Sequence, residues 1–144
     1  MTDHILPHAA PPAAILEAAL YVDDLDAAEG FYGGVLGLAR IVRVNARHVF
    51  YRVGGGVLLI FNPSETCKPP GNPGLPVPPH GAQGPGHFCF AVEGTALDDW
   101  RARLDAAGVE IEADFHWPNG ARSIYFRDPA GNSLEMAEPR LWAR

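Results

Sequence analysis

ILEAALYVDDLDAAEGFYGGVLGL, residues 15–38, decides the fold, because its pattern is written again as HFCFAVEG followed by TALDDWRARLDAAG, residues 87–108. Each copy starts with an apolar, strand-like run, 15–22 and 87–92. Each passes through acidic or polar residues, Asp23–Asp24 in one and Glu93–Gly94 in the other, into an amphipathic helix that stops on a glycine, Gly37 or Gly108. Acidic openings and glycine closures are what a helix requires, since backbone donors lie free at one end and a left-handed turn is needed at the other. Three short strand candidates follow each helix. In the first half they cover residues 40–45, 48–53 and 57–61, and in the second 109–115, 122–127 and 132–137, with the last two of each set joined by a tight turn (Gly54–Gly56; DPAG at 128–131). The predicted unit is βαβββ, present twice.

The organisation read from this is an N-terminal arm, residues 1–14, a first module at 15–62, a Pro/Gly-rich segment at 63–85, a second module at 86–138 and a short tail at 139–144. A half of this size is marginal alone, so the two must share a core. The intervening segment (PPGNPGLPVPPHGAQGPG within it) has no periodicity and reads either as a linker or as a functional loop. Its length allows the modules to pair within one chain or to be exchanged between two.

Composition removes several classes of function. The formal net charge is −6 and the eleven basic residues are dispersed, which argues against nucleic acid and anionic membrane as partners. No apolar run approaches a membrane span, and the start carries an acidic residue where a secretory leader has positive charge, so the expectation is a cytoplasmic protein. Cys67 and Cys89 have neither metal nor redox spacing and suit a reducing compartment.

Period-two alternation then sorts the strand faces. Leu16, Ala18, Leu20 and Val22 oppose Glu17, Ala19 and Tyr21. Phe88, Phe90 and Val92 oppose His87, Cys89 and Ala91, and Leu134 and Met136 oppose Ser133, Glu135 and Ala137. The bulky faces are those a helix would cover. The opposite faces each carry one ligand-type residue among small neighbours: Glu17, His87 and Glu135. Alone, any of the three reads as an ordinary surface or core residue. Jointly placed on two first strands and one last strand, they point to a site in which a cation separates carboxylates that would otherwise repel, and imidazole with carboxylate suits a first-row divalent metal. His48 and His80 are weaker acid–base candidates. His116, Trp117 and Arg122 flank a turn that reads mainly as surface, while Trp100 and Leu104 read as core.

In ILEAALYVDDLDAAEGFYGGVLGL, GPGHFCFAVEG and GARSIYFRDPAGNSLEMAE the chain resembles the vicinal oxygen chelate superfamily, which includes glyoxalase I, bleomycin-resistance, fosfomycin-resistance and extradiol dioxygenase families. The resemblance implies an α+β fold of paired βαβββ modules forming an incomplete barrel around a metal-binding cavity. It also implies ligands at Glu17, His87 and Glu135 for a divalent ion (Zn, Ni, Mn, Co or Fe), with Glu17 and Glu135 available for catalysis, a small-molecule substrate and a homodimer. Some members add a carboxylate on the fourth strand; VLLIF, residues 57–61, offers none in any register. Most relatives have His where this chain has Glu17. One His with two carboxylates leans away from oxygen activation and toward proton transfer or addition on a substrate held by two adjacent oxygens. Ser123 and Tyr125 match positions of the fosfomycin-resistance enzymes and are expected either to touch substrate or merely to cap the sheet, but the lysine those enzymes place before this strand is missing from DFHWPNGARS. The functional expectation is a metal-dependent lyase, isomerase or transferase. The alternatives are a metal-free protein that sequesters a small molecule and, third, an extradiol-type dioxygenase.

Overall fold

A computed structural model describes residues 5–143. The expected arm and tail are therefore described from Ile5 and as far as Ala143, with residues 1–4 and 144 outside the described residues; residues 5–16 carry no helix or strand, and Pro139–Trp142 form one 3-10 turn. Two four-stranded mixed sheets make up the body. The first contains β1 (Glu17–Tyr21), β2 (Ala39–Val44), β3 (His48–Val53) and β4 (Gly56–Phe61) in the order β1-β4-β3-β2. The second contains β5 (His87–Ala91), β6 (Ala113–His116), β7 (Arg122–Arg127) and β8 (Ser133–Ala137) in the order β5-β8-β7-β6. In both, the first strand runs parallel to the last, and Glu17 opposite Val57 matches His87 opposite Ser133. This is the βαβββ unit twice over, and the two sheets are not closed into a barrel.

Helices α1 (Leu25–Glu29) and α3 (Gly94–Ala106) cover one side of the sheets, and Pro63–Thr66 forms a single turn, α2. Leu20, Leu58 and Ile60 from the first sheet, Phe90, Ile124, Phe126, Leu134 and Met136 from the second, and Leu25, Phe31, Leu97 and Leu104 from the helical side make one continuous core. The bulky strand faces identified from alternation are thus the buried ones. Burial of apolar area drives their association, at roughly 25 cal/mol per Å². The opposite faces are exposed at Glu17 and His87 on the first strands, whereas Leu59, Glu135 and Ala137 on the last strands are buried.

Two elements differ from the sequence expectation. The first helix is α-helical only as far as Glu29, where Asp24 caps its start by accepting from Ala27 N (3.0 Å); Gly30–Val35 continue as a π-helix. Leu36 N reaches back to Phe31 O, and the segment ends at Gly37 with φ +72°. Three glycines in GFYGGV favour this widening, and the extra residue per turn lets the adjacent Phe31 and Tyr32 both point inward. In the second module the sixth strand starts at Ala113 rather than 109, because Val109 and Ile111 pack against the core before the ladder to β7 begins.

The two modules are joined by buried polar bonds. Tyr32, fully buried, donates its hydroxyl to Asp128 Oδ2 (2.7 Å) in the β7–β8 turn. Asp128 also accepts from Ala130 N, Asn132 N and Asn132 Nδ2, while Asn132 Nδ2 reaches Tyr21 O (3.0 Å) and its Oδ1 accepts from Gly86 N (2.7 Å). Burial, followed by the carboxylate of Asp128, pushes the Tyr32 phenol far above its ordinary range, so it remains a donor. This network ties the end of β1 to the start of β5. Tyr32→Phe should cost about 1.5–3 kcal/mol, as for a lost hydrogen bond to a charged acceptor, with an unchanged denaturant slope in urea unfolding.

Candidate active site

Strands β1 and β5 lie side by side and run in opposite directions. Near the end of β1, Leu20 approaches Gly86 so closely that a Cβ there would sit 2.9 Å from Leu20 Cδ2, which only glycine avoids. Toward its beginning, residues 15–18 share a slot of about 190 Å³ with Phe88–Ala91. The open faces of both sheets therefore form two sides of one cup, with Glu17 on one side and His87, Cys89 and Glu135 on the other.

His87 and Glu135 come together on the second side. His87 Nε2 lies 3.3 Å from Glu135 Oε1, and its Nδ1 is 2.9 Å from the carbonyl of Ser133, to which it donates. That bond selects the tautomer and leaves the Nε2 lone pair facing a carboxylate oxygen. Two acceptors at this distance are favourable only with a cation or proton between them. Glu135, only 5% exposed, is held from behind: Ser123 donates to its Oε2 (2.6 Å), and Trp117 Nε1 donates to Ser123 Oγ (2.8 Å). Burial, then the neighbouring Glu135, pushes the Cys89 thiol up to about 12.

Glu17 does not join this pair. It is exposed on the opposite side of the slot, and among the described residues no three His, Cys, Asp or Glu side chains gather closely enough to hold one ion. The sheets meet without ladder hydrogen bonds between β1 and β5, which leaves the slot open. In the first module the position corresponding to Glu135 is Leu59, opposite Ala19 as Glu135 is opposite Cys89, so no carboxylate is supplied by the fourth strand.

Ser123 and Tyr125 have different fates although they share a face. Ser123 is fully buried, its hydroxyl donating to Glu135 and accepting from Trp117. Tyr125 lines the wall, stacked between His87 (centroids 6.2 Å) and Phe115 (5.8 Å), and burial with the adjacent Glu135 raises its phenol to about 12. Trp117, read from the sequence as surface, turns out to be the anchor of Ser123; nothing in its local sequence signals this. Arg122 is occupied elsewhere, bound to Asp114 (2.8 Å) and Asp98 (2.7 Å).

The first side of the cup is lined by Glu17, Val44, Arg47, His48, Phe50, Leu59 and Phe61, and roofed by part of the Pro/Gly-rich segment, to enclose a cavity of about 630 Å³. Of the two roles this segment could have, part of it forms a cavity wall: Tyr21 Oη is 2.6 Å from His80 Nδ1, and Leu75 and Val77 line the cavity while staying largely exposed. A larger groove of about 820 Å³ between Tyr21, Ser64 and Gly81–Pro85 offers Asp23 as its sole charged lining residue.

With this geometry in view, the model of the Glyoxalase/Bleomycin resistance protein/Dioxygenase superfamily matches residues 6–136, and the chain belongs to that superfamily. A crystal structure of lactoylglutathione lyase from Agrobacterium tumefaciens shares 46% identity with a TM-score of 0.88, covering 94% of this chain and 100% of that one. The structure of SMU.1112c is 30% identical (TM-score 0.66; 89% and 100% covered). A glyoxalase/bleomycin resistance protein/dioxygenase from Nocardioides, 22% identical, shares the fold (TM-score 0.68; 90% and 85% covered). Comparison with curated proteins finds no match. Among the described residues no helix is long and apolar enough to cross a membrane.

The Asp114 carboxyl is held down at about 2, chiefly by the Arg122 guanidinium and further by Arg101, against the opposing effect of burial. Its stabilising ion pairs are complete above its ordinary value near 4 and disappear as pH falls through about 2. Urea unfolding between pH 5 and 2 should show the parent losing stability more steeply than Asp114→Asn, the two curves converging at the acid end.

Proposed function

We propose that the protein is an enzyme that binds a divalent metal with His87 and Glu135, with Glu17 across the slot as its base, and acts on a small molecule carrying two adjacent oxygens, in a reaction of lyase or isomerase type. The observation that carries this reading is the pair of facing acceptors, His87 Nε2 and Glu135 Oε1, each fixed from behind by Ser133 O and Ser123 Oγ. Second-shell bonds of this kind are how proteins orient ligands toward an ion. When bound, the metal would supply Lewis acidity to a substrate oxygen. Superfamily membership and a neighbour named lactoylglutathione lyase support the reaction class.

The chain's own groups divide the remaining work. Glu17 has no hydrogen-bond or ion-pair partner among the described residues and stands at the mouth of the slot, where its carboxylate can take a proton from the carbon beside the held oxygens. Tyr125, neutral at pH 7, offers a hydroxyl on the facing wall. Glu135 cannot swing away while Ser123 and Trp117 hold it, so it would be a fixed ligand, whereas Glu17 is tethered to nothing among the described residues. A homodimer accords with the exposed Ile41, Val42 and Val44 on the unpaired edge strand β2.

Cobalt titration followed by visible absorption and elemental analysis tests the reading. One ion per chain is expected in the parent and none in His87→Ala or Glu135→Ala, both still folded by circular dichroism. Glu17→Gln should keep a weakened site and lose about 10²-fold or more in turnover of 2-oxo aldehyde hemithioacetals or another vicinal-oxygen substrate. A parent that binds small molecules yet takes up no metal would instead be a sequestering protein. Sedimentation showing a monomer would remove the dimer.

A further inference from the structure

The far end of the 630 Å³ cavity is built differently from the end at Glu17. Glu17 lies opposite Val57 at the start of β4, whereas His48 lies opposite Phe61 at its finish, with Arg47 just before it. Four residues of strand separate the two ends, roughly 13 Å. At the far end Arg47 Nη1 donates to His48 Nδ1 (2.7 Å) and its guanidinium lies 5.6 Å from the centre of the Phe61 ring. No carboxylate pairs with Arg47 among the described residues, and the other cation there, Lys68, is already bound to Glu65. Thr66, 2% exposed, is among the residues that line the cavity, and its buried hydroxyl has no hydrogen-bond partner.

The backbone holds these groups in place together. Asn62 N donates to Arg47 O, Asn62 accepts Thr66 N at the start of α2, and Thr66 O accepts His80 N. Since His48 Nδ1 accepts from Arg47, its Nε2 carries the proton, while His80 shares a hydrogen bond between its Nδ1 and the Tyr21 hydroxyl. The guanidinium, whose one acceptor is His48 Nδ1, the His48 Nε2–H and the Thr66 hydroxyl thus form a set of donors with no carboxylate among them, beside the His80 imidazole. Between them and Glu17 the walls are apolar: Phe50, Leu59, Leu75 and Val77.

We propose that Arg47, His48, His80 and Thr66 form a carboxylate-binding subsite, and that the substrate is an amphipathic small acid. Its carboxylate sits at Arg47, its apolar body lies along Phe50 and Leu59, and its reacting oxygens reach the Glu17 end. The assignment rests on the reading of the cup as a substrate site and adds the class of substrate to it. A buried, unpartnered hydroxyl costs stability in the empty protein, which a ligand oxygen would recover.

The test uses calorimetric titration of the full chain with 4-phenylbutyrate and with its neutral counterpart 4-phenylbutyramide. The acid is expected to bind at least about tenfold more tightly than the amide, as for a charge-assisted hydrogen bond. Arg47→Met, which keeps the stem packed on Phe61, should reduce the preference to about twofold or less while leaving amide affinity unchanged. Thr66→Val should raise the melting temperature of the empty protein and weaken the acid alone. Equal binding of acid and amide, no binding of either, a preference that survives Arg47→Met, or acid affinity untouched by Thr66→Val overturns the proposal. His87→Ala separates it from the metal reading, because that variant should keep the full acid preference. A parent with the preference but without metal uptake leaves the subsite standing and removes the enzyme, and the converse removes only the subsite.

Discussion

Asp128 and the groups that converge on it determine where everything else lies. Tyr32 comes to it from the π-helical turn of the first module, and Asn132, beside it in the β7–β8 turn, grips both the Tyr21 carbonyl and the Gly86 amide. The Tyr32–Asp128 bond is buried, so an unmade partner there would carry the desolvation penalty of a polar group without a mate, and the two Asn132 bonds are part-buried. They pin the end of β1 against the start of β5. Without that alignment two small sheets would share a greasy interface with no defined register, and Glu17 would have no fixed relation to His87.

The π-helical turn is the device that makes the knot reachable. In a regular helix, neighbouring Phe31 and Tyr32 would point about 100° apart and only one could be central to the buried face. Widening over Gly30–Val35 buries both, Phe31 against Phe126 and Tyr32 against Asp128. Glycines weaken a helix, and here that weakness is what allows the wider turn. The same substitution of polarity for regularity recurs in the site, where Ser123 gives up contact with the cavity in order to position a carboxylate.

The cup is electrostatically divided. Its second side concentrates acceptors, with His87 Nε2 and Glu135 held toward one another; the far end of its first side concentrates donors, at Arg47, His48, His80 and Thr66. A cation would satisfy one and an anion the other, and the walls between Glu17 and Arg47 are apolar. Such polarity orients a ligand before any chemistry takes place.

The sequence by itself determined the modules. Strand alternation is a property of the backbone, so Leu20, Phe90, Leu134 and their neighbours could be assigned to the core, and Glu17, His87 and Glu135 to the open faces, from spacing alone. The absence of a carboxylate on the fourth strand was legible in VLLIF for the same reason. Tertiary structure alone decided what is not periodic: that Trp117 would hold Ser123, that Ser123 would bond to Glu135, that part of the Pro/Gly-rich segment would roof a cavity, and that Glu17 would stop short of the His87–Glu135 pair. Each of these depends on contacts between residues far apart in the chain, made by side-chain donors and acceptors whose partners are chosen by packing and not by any local pattern.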